Sequence, residues 1–241
     1  LRVKVKIAYN GSKFYGSQTQ KGFRTVEGEL NSALEYLNIH NRVVMGSRTD
    51  RGVHATGQVF HLDLPQHWSA NRLKCPLQRV VSSGISIISI DEVSNDFHAR
   101  FSAKSRSYRY LLSTSSPNPF QNDFISFIDG KRFDFSKIEE TIGIFRGVHN
   151  FEYFHKVGSE TKSSIREMFE TRAYRWKDIY ILKFRANGFL RSQIRMIVAS
   201  LIEVANGTLS KEQLHQQLKR EAIYTRKVAP ANGLFLASIC Y

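Results

Sequence analysis

Two successions of strand-like and helix-like periodicity run along this chain, and an alternation of that kind admits few architectures. The first opens with a period-two stretch over residues 3–9, ended by the turn signal Asn10-Gly11-Ser12. Thr25 then heads a helix as its N-cap. Glu27 and Glu29 suit the positive end of its dipole, and Val26, Leu30, Ala33, Leu34 and Leu37 fall on one face. A strand through Val43 and Val44 leads into a polar loop; residues 59–64 read as a strand, 69–82 as a helix despite Pro76, and 85–90 as a β-branched strand. The second succession has a strand over 107–113 and an exposed Ser-, Pro- and Asn-rich loop over 113–122. Ser136 and Glu139 form a capping box ahead of Ile138, Ile142 and Phe145, and strands follow over roughly 164–176 and 179–186. A long helix over about 189–205 closes at Asn206-Gly207, Ser210 and Gln213 open another, and residues 234–241 end the chain as a strand. The reading is α+β: a half over 1–102 that carries the polar loop and a half over 103–241, set around a cleft.

At 241 residues with 41% hydrophobic content the chain can bury an ordinary core. No stretch approaches the roughly 20 apolar residues of a membrane span, and the first ten residues lack the apolar block of a signal peptide. Cys75 and Cys240 are far apart and read as free thiols, so a cytoplasmic protein is expected. The formal charge of +14 favours a polyanionic partner. Basic residues interleave with aromatic ones over 100–110 and 172–177, which supplies charge for phosphates and flat rings for unstacked bases. The eight histidines show no metal-ligand spacing, and neither a Walker loop nor a dinucleotide glycine pattern occurs, so no metal and no cofactor is expected.

Residues 46–59 form a glycine-interrupted polar segment that sets Asp50 at a loop-to-strand junction between Arg48 and Arg51. Two roles fit Asp50 there, a catalytic acid or a turn cap. Arg195 lies at the border of the apolar stripe made by Phe189, Leu190, Ile194, Ile197, Val198, Leu201 and Ile202, either snorkelling to water or pairing with a carboxylate such as Asp50. Tyr108 and Tyr110 share one face of a strand, as core tyrosines or as a ring that stacks on a base.

The segment Ser47-Arg48-Thr49-Asp50-Arg51-Gly52-Val53-His54-Ala55 closely resembles the catalytic loop of the tRNA pseudouridine synthase A family. Further matches follow in order. Tyr9-Asn10-Gly11-Ser12 with Phe14, Gly16 and Gln18 is similar to the family's N-terminal motif, and Thr25-Val26-Glu27 to the start of its first helix. Phe97-His98-Ala99-Arg100-Phe101-Ser102-Ala103 with Tyr108-Arg109-Tyr110 resembles the central motif, Gly188-Phe189-Leu190 through Ile194-Arg195-Met196-Ile197-Val198 the late helix, and Ala229-Pro230-Ala231-Asn232-Gly233-Leu234 the closing motif.

The resemblance implies two pseudo-symmetric halves of ferredoxin-like or RRM-like type forming one mixed sheet with a central cleft, usually in a homodimer. It implies conversion of uridine to pseudouridine in the tRNA anticodon arm at positions 38, 39 and 40, without cofactor. Asp50 becomes the catalytic aspartate, Tyr108 the residue that packs on the target uracil, Arg195 the partner of Asp50, and Arg48 a residue that expels or replaces the flipped nucleotide. The chain departs from the family pattern at Asn10, Ser17, Ser47 and Asn150, of which Asn10 and Ser17 lie in loops that could contact tRNA. The rivals are a non-catalytic RNA-binding module and a metal-dependent phosphodiesterase built on Asp50 and His54.

Overall fold

The computed structural model describes residues 1–116, 118–156, 158 and 163–241. They form two compact units, one of residues 1–104 with 235–241 and the other of residues 105–234.

In the first unit, β1 (Arg2–Tyr9) alternates half-buried with buried positions, so that Val3, Val5, Ile7 and Tyr9 face the core. The helix α1 (Val26–Tyr36) starts where expected, the Thr25 hydroxyl accepting the Gly28 N–H at 3.2 Å, and buries Val26, Leu30, Ala33 and Leu34. After β2 (Val44–Met45) comes β3 (His54–Asp63), which begins five residues earlier than the apolar pattern announces because the polar residues His54 and Gln58 are buried on it. The helix α2 (Ala70–Val80) runs through Pro76, held down by Ala70, Leu73 and Leu77 in the core. The strand β4 (Ile85–Glu92) completes this stretch.

The second unit starts with β5 (Ser105–Ser113), which is antiparallel to β9 (Ile179–Ala186) and parallel to the short β6 (Ser126–Phe127). Of the loop expected over 113–122, Pro117 lies outside the described residues. The helix α3 (Phe135–Thr141) is capped by Asp134, whose carboxylate accepts the Ser136 N–H at 3.0 Å. The expected capping box at Ser136 is therefore two residues too late, since Ser136 already lies inside the helix. Strands β7 (Gly147–Asn150) and β8 (Ile165–Trp176) add to β9 in antiparallel fashion. The helix α4 (Gln193–Ala205) begins four residues after the expected start. Ser192 takes a left-handed conformation at φ 57°, and the Gln193 side chain accepts the Leu190 N–H at 2.8 Å, so the apolar residues 189 and 190 precede the helix. The helix α5 (Lys211–Lys219) has the capping box foreseen at Ser210 and Gln213.

The closing strand β10 (Leu234–Cys240) is assigned by the sequence to the second half, yet from Phe235 onward it belongs to the first unit, where it pairs in parallel with β3. The first unit's sheet thus has the order β4-β1-β3-β10, with β1 antiparallel to both neighbours and β2 on β3. Both units are mixed α+β structures. Among the described residues no helix is long and apolar enough to cross a membrane.

Candidate active site

Asp50 sits half-buried in the connection from β2 to β3, between exposed Arg48 and Arg51. The anchor of this loop is Thr49, which is buried. Its N–H donates to the Ser17 hydroxyl at 2.8 Å, its carbonyl accepts the Ser17 N–H at 3.1 Å, and its hydroxyl lies 2.8 Å from that of Tyr9 at the end of β1. Gln58 on β3 donates to the Ser47 carbonyl at 2.8 Å, and the Val53 N–H closes a turn onto the Asp50 carbonyl at 3.1 Å. The backbone leading into Asp50 is thereby tied to β1 and β3, which fixes the point from which its carboxylate projects.

Two glycines make the fit possible. A Cβ on Gly11 would stand 2.1 Å from the Val53 carbonyl oxygen, so the N-terminal turn passes against the loop with no room for a side chain. Gly16 has φ +97° and a hypothetical Cβ would lie 3.0 Å from the Thr49 carbonyl oxygen. The Gly11 N–H donates to Nδ1 of His54, a buried ring stacked on Phe235 with centroids 4.7 Å apart. His54 is thus a bracket between the N-terminal turn and β10, which argues against the phosphodiesterase reading in which it served as a metal ligand.

Ser17 and Asn10 lie in the loops that could contact tRNA, and both side chains have structural partners there. Ser17 is only 1% exposed and holds Thr49, so it supports the loop and offers no surface to RNA. Asn10 accepts the Ser12 N–H at 3.0 Å and caps the short turn Gly11–Lys13. Exposed aromatic surface next to the loop comes instead from Tyr15 and Phe23, with centroids 4.6 Å apart, and the Arg51 guanidinium lies 4.1 Å over the Tyr15 ring.

The remaining two candidates, Tyr108 and Arg195, belong to the second unit. Tyr108 on β5 is 6% exposed and meets Phe189 edge-on at 5.1 Å. Arg195, half-buried on α4, donates from Nε to the Ala229 carbonyl at 2.7 Å, while the Ala229 N–H returns a bond to the Arg195 carbonyl at 3.0 Å. The next peptide is held by Tyr110, whose hydroxyl donates to the Pro230 carbonyl at 2.9 Å. Burial pushes the Tyr110 phenol up to about 12, so it stays a protonated donor at any working pH. Arg195 is therefore linked to Tyr110 through residues 229 and 230. Thr49 and Gln58 have no role in the sequence reading, and Tyr110 stands there only beside Tyr108; the one visible sign is a polar residue at an in-facing strand position, as at Gln58 and Tyr110.

Comparisons with known proteins point one way. Residues 142–241 match the family model described as tRNA pseudouridine synthase. Over its full length the chain is 39% identical to the tRNA pseudouridine synthase A of Campylobacter jejuni subsp. jejuni serotype O:6, covering 100% of that protein. It is 34% identical to the enzyme of that name from Bacillus pumilus, with 100% of this chain and 99% of the relative aligned, and 36% identical to that from Helicobacter hepaticus, with 99% and 98% aligned.

Proposed function

The chain belongs to the tRNA pseudouridine synthase A family, an isomerase family that converts uridine to pseudouridine in tRNA, and we propose that Asp50 is the carboxylate that carries the reaction. The supporting observation is the anchoring of Asp50: a half-buried acid whose neighbour Thr49 is held by Tyr9 and Ser17 in the loop that matches the family's catalytic segment.

The reaction cleaves the N1–C1′ bond, turns the freed uracil, joins C5 to C1′, and moves the C5 proton so that N1 ends protonated. Atoms balance without a co-reactant. A carboxylate acts at the sugar, either by bonding to C1′ as the glycosidic bond breaks or by taking a proton from the ribose. Tyr108 packs on the target base once it leaves the stack, Arg195 pairs with Asp50 and holds its rotamer, and Arg48 fills or enforces the space left by the flipped nucleotide. The Arg195 assignment draws support from its Nε bond to Ala229, which orients the guanidinium. By its resemblance to the family the chain acts on the anticodon arm at positions 38, 39 and 40, as a homodimer and in the cytoplasm.

The test is turnover on unmodified tRNA without added metal, with pseudouridine mapped by chemical derivatisation. Asp50→Asn abolishes product and keeps tRNA binding nearly intact. Wild-type turnover in that variant would sink the assignment.

A further inference from the structure

Pockets in the second unit include one of about 370 Å³ lined by His155, Lys156, Arg191, Met196 and Arg226. Its chemistry is one-sided. Lys156, Arg191 and Arg226 are exposed, Met196 is buried, and among the described residues none of the three cations has a carboxylate partner. Neighbouring cations do have them: Arg220 pairs with Glu152 at 3.3 Å and Lys227 with Glu203 at 2.7 Å. Three like charges around one concavity repel each other unless an anion sits among them.

The backbone keeps these groups together. The Lys156 N–H donates to the Arg191 carbonyl at 3.1 Å, joining the segment after Phe154 to the one that enters α4. His155 Nδ1 lies 3.1 Å from the Lys156 carbonyl; as the donor to that oxygen, Nδ1 leaves Nε2 as the ring's outward nitrogen. Ser192, left-handed at φ 57°, turns the chain between Arg191 and the first helical residue. Met196, in the first turn of α4, forms the buried apolar wall of the pocket.

We infer that this pocket binds a phosphodiester group of the tRNA backbone, with Arg191 and Arg226 gripping the non-bridging oxygens and Lys156 adding charge. Arginine's fork matches a phosphate's paired oxygens, and a tRNA enzyme meets a phosphodiester group at every nucleotide. The inference rests on the family's tRNA substrate and is independent of the role given to Asp50.

Phosphate-ethylation interference tests it. Full-length wild-type protein and the double variant Arg191→Gln/Arg226→Gln are each offered tRNA ethylated at single phosphates, and the bound fraction is sequenced. In the wild type, ethylation at one or two adjacent phosphates blocks binding; in the variant those positions no longer discriminate, while the rest of the pattern stays. The variant binds unmodified tRNA about tenfold more weakly, and its salt slope falls by roughly 0.7–0.9 for the lost phosphate. Arg191→Lys/Arg226→Lys, which keeps the charge, restores most of the interference. A thermal unfolding curve matching the wild type shows that the variant is folded. An unchanged interference pattern, or a uniform weakening at every position, overturns the inference, because a site for free phosphate or a general loss of charge gives those results. Pseudouridine formation by Asp50→Asn, measured apart from binding, reports on the catalytic reading separately.

Discussion

The phenolic oxygen of Tyr9 lies 2.8 Å from the hydroxyl oxygen of Thr49, and both residues are buried. Tyr9 is the last residue of β1, and Thr49 immediately precedes Asp50, so this hydrogen bond ties the strand end to the backbone that carries the acid. Gln58 of β3 approaches the same phenol at 3.5 Å. The position of Asp50 is thus set by two neighbouring strands rather than by the loop's own turn.

Removing the Thr49 hydroxyl should loosen the acid before it unfolds the protein. Thr49→Val keeps the shape and leaves the Tyr9 phenol without its close partner, at a stability cost of about 1–2 kcal/mol. Misplacing a reacting group by a fraction of an ångström lowers kcat by roughly 10–100-fold, with KM changed much less. Combining Thr49→Val with Tyr9→Phe should cost less than the two single changes summed, with a coupling on the order of 1 kcal/mol. Strict additivity in denaturant titrations would show that the two hydroxyls do not act as a pair.

Gly16 and Gly11 should answer alanine differently. At Gly16 the added Cβ meets the Thr49 carbonyl oxygen at 3.0 Å with φ at +97°, and the change costs about 1–2 kcal/mol through backbone strain. At Gly11 the Cβ would overlap the Val53 carbonyl at 2.1 Å, so β1's exit turn has to separate from the loop. Gly11→Ala should lose more than about 3 kcal/mol and most activity. Denaturation midpoints for the pair check the order, and a milder effect at Gly11 than at Gly16 would contradict this packing.

Stability should fall in acid through His61. Burial, reinforced by the charge of His98, lowers its pKa to about 4, and its Nδ1 accepts the Ala99 N–H at 3.1 Å. Because the folded value lies below the ordinary one of about 6.5, the unfolded chain binds a proton that the folded chain refuses. The neutral ring's contribution is complete above pH 6.5 and declines as pH falls toward 4, by on the order of 1–3 kcal/mol. His61→Asn, which retains an acceptor near Nδ1, should flatten that part of the stability–pH curve. An equally steep decline in the variant would assign the acid sensitivity elsewhere.

Elements whose signal is local were legible in the sequence. The Thr25 cap, the Ser210–Gln213 box and the in-facing alternation of β1 needed nothing beyond a few neighbours. What escaped was decided at a distance. The strand β3 extends back to His54 because its polar residues find buried partners, Gln58 at Ser47 and His54 at Gly11, and a hydropathy pattern cannot register such bonds. Ser17 reads in the sequence only as a loop residue, because its partner Thr49 is 32 positions away. Asp50 stands out in the sequence by its glycine-rich, arginine-flanked setting, whereas the support of its loop, Tyr9, Ser17 and Gln58, depends on strand register. Arg195 was placed correctly at the edge of a buried face, yet the Ala229–Pro230 segment that orients it is visible only once the chain is folded.

That orientation separates arginine from lysine at position 195. The Nε bond to Ala229 uses the inner nitrogen of the guanidinium, and the pairing proposed with Asp50 uses its terminal nitrogens. A lysine has one nitrogen at its tip and cannot satisfy both partners. Arg195→Lys should therefore keep the charge and most of the stability, since the backbone bond between Ala229 and Arg195 does not involve the side chain. Its kcat should nevertheless drop by about 100-fold or more, the size expected when a positioned donor to the carboxylate proposed as its partner is lost. Tyr110→Phe supplies the contrast. It deprives the Pro230 carbonyl of its donor and should cost about 1–2 kcal/mol of stability, while the Arg195 bond to Ala229 remains and kcat falls by less than about tenfold. Single-turnover rates at saturating tRNA, alongside melting curves, resolve the two effects. Full turnover in Arg195→Lys would mean that charge alone suffices at this position, and the paired geometry assigned to Arg195 would have to be abandoned.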